Sequence, residues 1–198
     1  MGSYTRLSLS RTATRDVRAS ENYVRDTELA FKYGIAPAWF ALYQEKDIAL
    51  RGSREDDDYE VVLFTDLTSA RKNFEAREAQ LSQAIGDPWD RSVSAFKAYL
   101  SNPEASHVLL DATEYAENFD DLRDLENDLV ASIRTFEVPY FTGKTALFSR
   151  KPTVSKAWKD LLAPMYGARD SAQALATGAT EMKLSWFIFG SPTDGSER

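Results

Sequence analysis

Short stretches of apolar residues, some of them alternating with polar residues, predict the strands of this chain. In the first stretch, Tyr4 to Ser10, Leu7 and Leu9 fall on the same face. The later stretches are rich in apolar residues and are bounded by polar or turn-forming residues. The segments predicted as strands are 4–10, 59–64, 107–112, 145–149 and 183–189.

The segment from His107 to Ala112 fits two structures. Its continuous apolar run is typical of a short buried strand. However, Val108, Ala112, Tyr115 and Phe119 also keep helical spacing, so the segment is compatible with the first turns of a helix. We favour the strand, followed by a separate helix.

Apolar residues at intervals of three and four positions predict the helices. The clearest helix begins after Thr65 or Asp66, both good N-cap residues, and ends at Gly86. A later helix is predicted with Asn118 as its N-cap and with its apolar face between residues 119 and 136. Further helices are predicted from Pro37, from Trp89, from Thr153 or Ser155, and from Arg169.

These elements do not alternate as regular strand–helix–strand units. The order predicts an α+β fold, helix-rich, with a small and mostly antiparallel sheet packed against several helices. The chain has 198 residues and no low-complexity linker, which predicts one domain over residues 1–198. Two segments interrupt the pattern and predict a charged loop at 51–58 and a flexible tail at 191–198.

The charge of the chain is unevenly distributed. The net charge is −7, but residues 35–143 hold ten lysines and arginines against twenty-two aspartates and glutamates, a balance of −12. Such an acidic region disfavours nucleic acid and anionic membranes as partners. It favours a protein partner with a basic surface, although solubility alone would also account for it.

Few residues offer recognisable catalytic chemistry. The chain has no cysteine, which excludes disulfides and thiolate metal sites. Gly143-Lys144-Thr145 resembles the end of a phosphate-binding loop, but Val138 occupies the position of the required first glycine. His107 is the only histidine, and we expect it to be structural. We therefore expect no cofactor, no metal and no enzymatic activity, although a pair of distant carboxylates acting as acid and base stays possible.

Two acidic segments are the candidate surfaces for a partner. One is the charged loop at 51–58, whose cluster of carboxylates could bind a partner. The alternative is that this segment is an ordinary loop exposed to solvent. The other lies on the helix predicted after Asn118, where aspartates fixed on one face can imitate a row of phosphates in the groove of a basic enzyme. The ordinary alternative is an exposed helix face. The candidate partner-binding residues are Glu55, Asp56, Asp57, Asp58, Asp120, Asp121, Asp124 and Asp128.

No apolar segment suited to a signal peptide follows the first residues, Met1 to Arg6. The longest apolar run near the other end, residues 186–189, is too short to span a bilayer. We therefore expect a cytoplasmic protein that does not enter a membrane. The sequence does not indicate an oligomeric state.

Three segments resemble an uncharacterised bacterial family of the immunity-protein type: Ser3 to Ser8, Tyr33 to Phe40 and His107 to Glu114. Such small, acidic, cytoplasmic proteins occur beside secreted toxins. The resemblance implies that the chain binds a cognate toxin domain stoichiometrically and covers its active site. The resemblance includes no diagnostic motif and does not assign a functional role to any residue of this chain.

Two other functions stay open beside the immunity-type function. An enzyme or a small-ligand protein with a carboxylate-based site would require a pocket with convergent polar groups and a carboxylate of perturbed pKa. A regulatory subunit would instead present a large apolar interface.

Overall fold

A six-stranded antiparallel sheet forms the centre of the described chain. The computed structural model describes residues 3–16, 19–32, 34–53, 58–142, 153–163 and 189–193. The strand order in the sheet is β3-β4-β5-β1-β2-β8, and a separate two-stranded ribbon joins β6 to β7. The strands are β1 (Tyr4–Ser10), β2 (Leu29–Lys32), β3 (Ile48–Ser53), β4 (Asp58–Asp66), β5 (His107–Asp111), β6 (Phe141–Thr142), β7 (Thr153–Val154) and β8 (Ser191–Pro192).

Helices cover one face of this sheet, which confirms the predicted α+β class. The α-helices are α1 (Pro37–Phe40), α2 (Leu67–Ile85), α3 (Asp87–Leu100), α4 (Leu122–Arg134) and α5, which comprises residues 156–163. Short 3-10 helices comprise Ser20–Asn22, Glu45–Asp47, Glu114–Asn118 and Thr135–Glu137. Within the described ranges, no helix is both long and apolar enough to cross a membrane.

The segment after His107 is a strand, as predicted. β5 pairs with β1 on one side and with β4 on the other, and Leu110 lies opposite both Leu7 and Leu63. Val108 and Leu110 point into the helix-covered core, whereas Leu109 is buried on the opposite face. A strand that is buried on both faces has a continuous apolar sequence, which explains its resemblance to a helix.

The helix predicted between Asp66 and Gly86 is also confirmed, as α2. The Asp66 side chain accepts a hydrogen bond from the Ser69 amide at 2.8 Å, which satisfies an N-terminal donor of the helix. Gly86 has a φ of 75°, so the chain turns there and enters α3 at once. Phe74 of α2 packs against Trp89 and Phe96 of α3.

The start of the next long helix was predicted wrongly. Residues Glu114–Asn118 form a 3-10 helix, and α4 begins only at Leu122. Phe119 is extended and packs edge-on against Tyr115, which separates the two helices. Asp121, and not Asn118, is the N-cap, and its carboxylate accepts a hydrogen bond from the Arg123 amide at 2.9 Å.

On the second face of the sheet, Arg15 from the segment after β1 packs over Phe64. Phe64 is buried there, with the Arg15 guanidinium 5.5 Å above its ring and the His107 ring stacked on it at 5.0 Å. The Tyr23 hydroxyl donates to the Asp16 carbonyl at 2.8 Å. His107 therefore packs on the side of the sheet opposite to the helices.

The last described residues complete the sheet beside β2. Ser191 pairs with Ala30, and the Trp39 indole donates to the Phe189 carbonyl at 2.9 Å. The ring of Phe189 is buried against Trp89 and Phe96, with centroids 5.2 and 4.9 Å apart. Gly190 has a φ of 79°, and a Cβ at this position would collide with the ring of Trp39.

Two boundary predictions need correction. The tail predicted at 191–198 begins with strand residues, because Ser191 and Pro192 pair with β2; residues 194–198 lie outside the described chain. In the loop predicted at 51–58, residues 51–53 instead belong to β3 and Asp58 begins β4, while residues 54–57 lie outside the described residues. The predicted strand 145–149, the predicted helix from Arg169 and residues 183–188 of the last predicted strand also lie outside the described residues.

Candidate functional site

A groove of about 600 Å³ lies between α4, α5, the 3-10 helix Glu114–Asn118 and the start of α1. Its volume is within the usual range of ligand pockets, roughly 300–1,000 Å³. The apolar lining residues are Ile35, Phe40, Ala131, Ala157, Leu161 and Ala163. The polar lining residues are Tyr115, Asp128, Ser132, Thr135, Lys156 and Asp160, and Gly34 completes the wall.

One wall of the groove is a flank of α4. The helix buries Leu125, Leu129 and Ile133 in the core. Asp128, Ser132 and Thr135 follow at helical spacing beside this apolar stripe, so their side chains reach the groove together. The neighbouring core contacts hold this flank in a fixed orientation.

The opposite wall is α5, which Trp158 anchors to the core. The Trp158 indole donates to the Val138 carbonyl at 3.0 Å, and its ring packs edge-on against Phe136 and Tyr140. Lys156 and Asp160 lie on the outer side of α5 and form a salt bridge of 2.9 Å. Their side chains are 91% and 62% exposed, so this pair contributes little to stability.

The floor of the groove is formed by Ile35 and Phe40, and Arg77 holds the adjacent turn in place. One nitrogen of its guanidinium donates to the Tyr43 carbonyl at 2.6 Å and to the Phe40 and Ala41 carbonyls at 3.2 Å each. The same guanidinium lies 5.0 Å above the ring of Phe136. Arg77 therefore connects α2, the turn after α1 and the 3-10 helix Thr135–Glu137 that follows α4.

The electrostatics of the groove centre on Asp128. The residue is exposed overall, but its carboxyl is partly desolvated against the groove wall, and this burial, together with the negative charge of Asp160, raises its pKa. Burial, with a smaller contribution from Asp128, raises the pKa of Tyr115 to about 12. Among the described residues, Asp128 has no salt-bridge partner, whereas Asp160 is paired with Lys156.

The four predicted aspartates do not form one row on a helix. Asp120 is exposed and precedes α4, and Asp121 uses its carboxylate as the N-cap. Asp124 and Asp128 are both on the helix and one turn apart, so these two share the flank that leads into the groove. Instead of a continuous row of four aspartates, the structure has a pair on α4, Asp124 and Asp128, and two aspartates that precede the helix, Asp120 and Asp121.

The other candidate segment is mostly outside the described chain. Glu55, Asp56 and Asp57 lie outside the described residues. The backbone of Asp58 pairs with Ser53 at the start of β4. The candidate carboxylates that the structure places in full are therefore those before and along α4.

The region around α4 is rich in carboxylates, of which Glu114 is paired with Arg6 at 2.7 Å. Residues 114–128 contain seven aspartates and glutamates and a single basic residue, Arg123, a balance of −6. The residues that sequence reasoning missed are Tyr115, Ser132, Thr135, Lys156 and Asp160. The polar flank of α4 was visible as helical spacing, but nothing local indicated that α5 packs beside it.

The contacts of His107 are those of a structural residue. The Ser106 hydroxyl lies 2.8 Å from His107 Nδ1 and also donates to the Arg11 carbonyl at 2.8 Å. With the ring stacked on Phe64, these contacts fix the start of β5. In the part of the chain that the structure describes, no group of three or more potential ligands is arranged to hold a metal ion.

Comparison with protein families, curated proteins and solved structures gave no match for this chain.

Proposed function

We propose that this chain is a cytoplasmic immunity-type protein that binds a bacterial toxin domain with a basic surface and neutralises it by covering the active site. The observation that carries the proposal is the acidic segment 114–128 beside a preformed groove; its sequence has a balance of −6, and the pairing of Glu114 with Arg6 leaves it strongly negative. A concentrated negative field of this kind accelerates association with a basic partner and suppresses association with acidic ones.

The acidic surface is built on a rigid element, which favours a binding role. Leu125, Leu129 and Ile133 fix α4 in the core. At the C-terminal end of α4, the Arg134 guanidinium donates two hydrogen bonds to the Glu45 carboxylate, at 2.7 and 2.8 Å. A preorganised surface loses little conformational entropy on binding, so more of the interaction energy contributes to affinity.

The test begins with affinity purification of the tagged protein from its native cells, at low and then at high salt. The proposal expects one stoichiometric partner with a basic domain, retained less well at high salt, whose activity the purified chain inhibits. Recovery of the chain without any protein at low salt would contradict the proposal.

Charge reversal then locates the interface. Asp120 and Asp124 are changed together to lysine, which leaves the N-cap Asp121 and the groove residue Asp128 intact. The matched control reverses two exposed carboxylates on α2 and α3, Glu75→Lys and Asp90→Lys. We expect the α4 variant to lose at least about tenfold in association rate and the control less than about twofold. If both variants lower the association rate equally, the rate depends on the total charge of the chain and not on the position of the carboxylates on α4.

The groove also favours a second function, a small-ligand protein with a carboxylate-based site. Asp128 with its raised pKa beside Tyr115 and Ser132 is the kind of site that such a protein requires. Native mass spectrometry of the chain purified from its own cells distinguishes the two functions. A bound small molecule without a protein partner would favour this second function.

A further inference from the structure

We propose that the groove between α4 and α5 is a socket for a guanidinium group, namely an arginine side chain of the protein partner. This inference rests on the proposed function and deepens it, because it assigns the anchor of the interface. The acidic residues before and along α4 would then attract the partner, while the socket would hold it.

The chemistry of the walls fits a long side chain with a cationic end. Ile35, Phe40 and Leu161 provide apolar surface for the methylene groups of an arginine. Asp128 and Asp160 provide two carboxylates at the polar side of the same groove. An anionic ligand would be repelled by both, and an apolar ligand would leave the Asp128 carboxylate desolvated without a partner.

Among the residues that the structure describes, Asp128 is the carboxylate of the socket without a salt-bridge partner. Asp160 is paired with Lys156 on its own helix, whereas no described lysine or arginine forms a salt bridge with Asp128. A guanidinium beside Asp128 would form two parallel charge-assisted hydrogen bonds with its carboxylate. It would also relieve the repulsion between Asp128 and Asp160.

An arginine fits this socket better than a lysine. A guanidinium is planar, is more weakly hydrated than an ammonium group and stacks on aromatic rings, and Tyr115 and Phe40 both line the groove. Its five N–H donors match the Asp128 carboxylate and the Ser132 hydroxyl on one wall and the Asp160 carboxylate on the other. Arginine is also enriched among the residues that dominate protein interfaces.

Binding of the guanidinium is coupled to the charge of Asp128. Asp124 lies one turn earlier on the same helix, and the titratable groups that line the groove with Asp128 are Lys156 and Asp160 on α5 and Tyr115 on the 3-10 helix. Only the ionised carboxylate attracts a cation, and burial raises its pKa. Affinity is therefore full above that pKa and falls as the pH drops through it.

The experiment is an NMR titration of the full chain with N-acetyl-arginine-methylamide. We expect saturable shifts of the Ser132 and Ala157 amides at millimolar concentrations, since a single side chain has few atoms with which to bind. The citrulline analogue, which has the same shape without the charge, should produce no saturable shifts. The lysine analogue should bind more weakly than arginine.

Two variants test the assignment to Asp128. Asp128→Asn should weaken the arginine probe at least about fivefold and remove the pH dependence. The control Glu75→Gln removes an exposed carboxylate on α2 that does not line the groove, and it should change affinity less than about twofold. Thermal melting checks that both variants are folded. Equal affinities of the two variants, or equal binding of arginine and citrulline, would overturn the proposal.

Failure of the socket and failure of the proposed function give different results. A captured basic partner that depends on Asp120 and Asp124, with no response to the arginine probe, would overturn the socket alone. Saturable arginine binding with no protein partner would keep the guanidinium socket and overturn the immunity-type function.

Discussion

Asp121 has a structural role that can be measured separately from any role in binding. Its carboxylate accepts a hydrogen bond from the Arg123 amide at 2.9 Å and occupies the N-cap of α4. Replacement by alanine leaves that exposed amide donor to water and removes a negative charge from the positive end of the helix dipole. We expect Asp121→Ala to destabilise the protein without unfolding it.

The expected magnitude follows from the two contributions. Loss of a capping side chain costs about 1 kcal/mol, within a range of roughly 0.5–2 kcal/mol. Loss of a negative charge near a helix N-terminus costs about 0.3–1 kcal/mol more. The helix itself stays in place, because Leu125, Leu129 and Ile133 remain buried. The free energy of unfolding should therefore fall by about 1.5 kcal/mol.

Urea denaturation of three proteins provides the assay: the wild type, Asp121→Ala and Asp121→Asn. Asparagine is as good an N-cap as aspartate, so Asp121→Asn should lose only the charge contribution of about 0.3–1 kcal/mol. The slope of the transition should not change, because the surface exposed on unfolding is the same. Asp121→Ala within about 0.3 kcal/mol of wild type, or no more destabilised than Asp121→Asn, would refute the capping role.

Two further predictions concern the positions that hold the core around the groove. Arg77→Met keeps the side-chain packing but removes the donor to the Tyr43 carbonyl and the contact with Phe136, and we expect a loss of about 2–4 kcal/mol in urea denaturation. Gly190→Ala meets the ring of Trp39 at a positive φ, whereas Gly86→Ala has a positive φ with nothing within 4 Å. Gly190→Ala should therefore lower the melting temperature clearly more than Gly86→Ala, which bears only the backbone cost of about 1–3 kcal/mol.

Elements with strong local signals were predictable from the sequence. For α2, Asp66 supplies a cap and Gly86 a stop, and both directly adjoin the helix that they limit. The helix after Asn118 was misplaced because several residues there are acceptable N-caps. Only the packing of Tyr115 against Phe119 separates the 3-10 helix from α4 and leaves the capping role to Asp121.

The candidate site was predictable only in part. Asp128 was found because acidic residues on a helix can be read from the chain alone. Asp160 and Lys156 were not found, because they reach the groove through the docking of α5, which the contacts of Trp158 with Phe136 determine. Such tertiary contacts leave no signal in the local pattern of apolar and polar residues.

The position of Phe189 has a consequence for the newly made chain. Trp39 and Phe189 are joined by a hydrogen bond across 150 positions of sequence. The Trp39 indole N–H therefore has no native acceptor until Phe189 has been synthesised. A chain that stops before Phe189 leaves this donor unsatisfied and exposes the rings of Trp89 and Phe96. Chaperones and proteases act on exposed apolar surface of this kind. The docking of the last strand thus allows the cell to distinguish molecules translated at least as far as β8 from truncated ones.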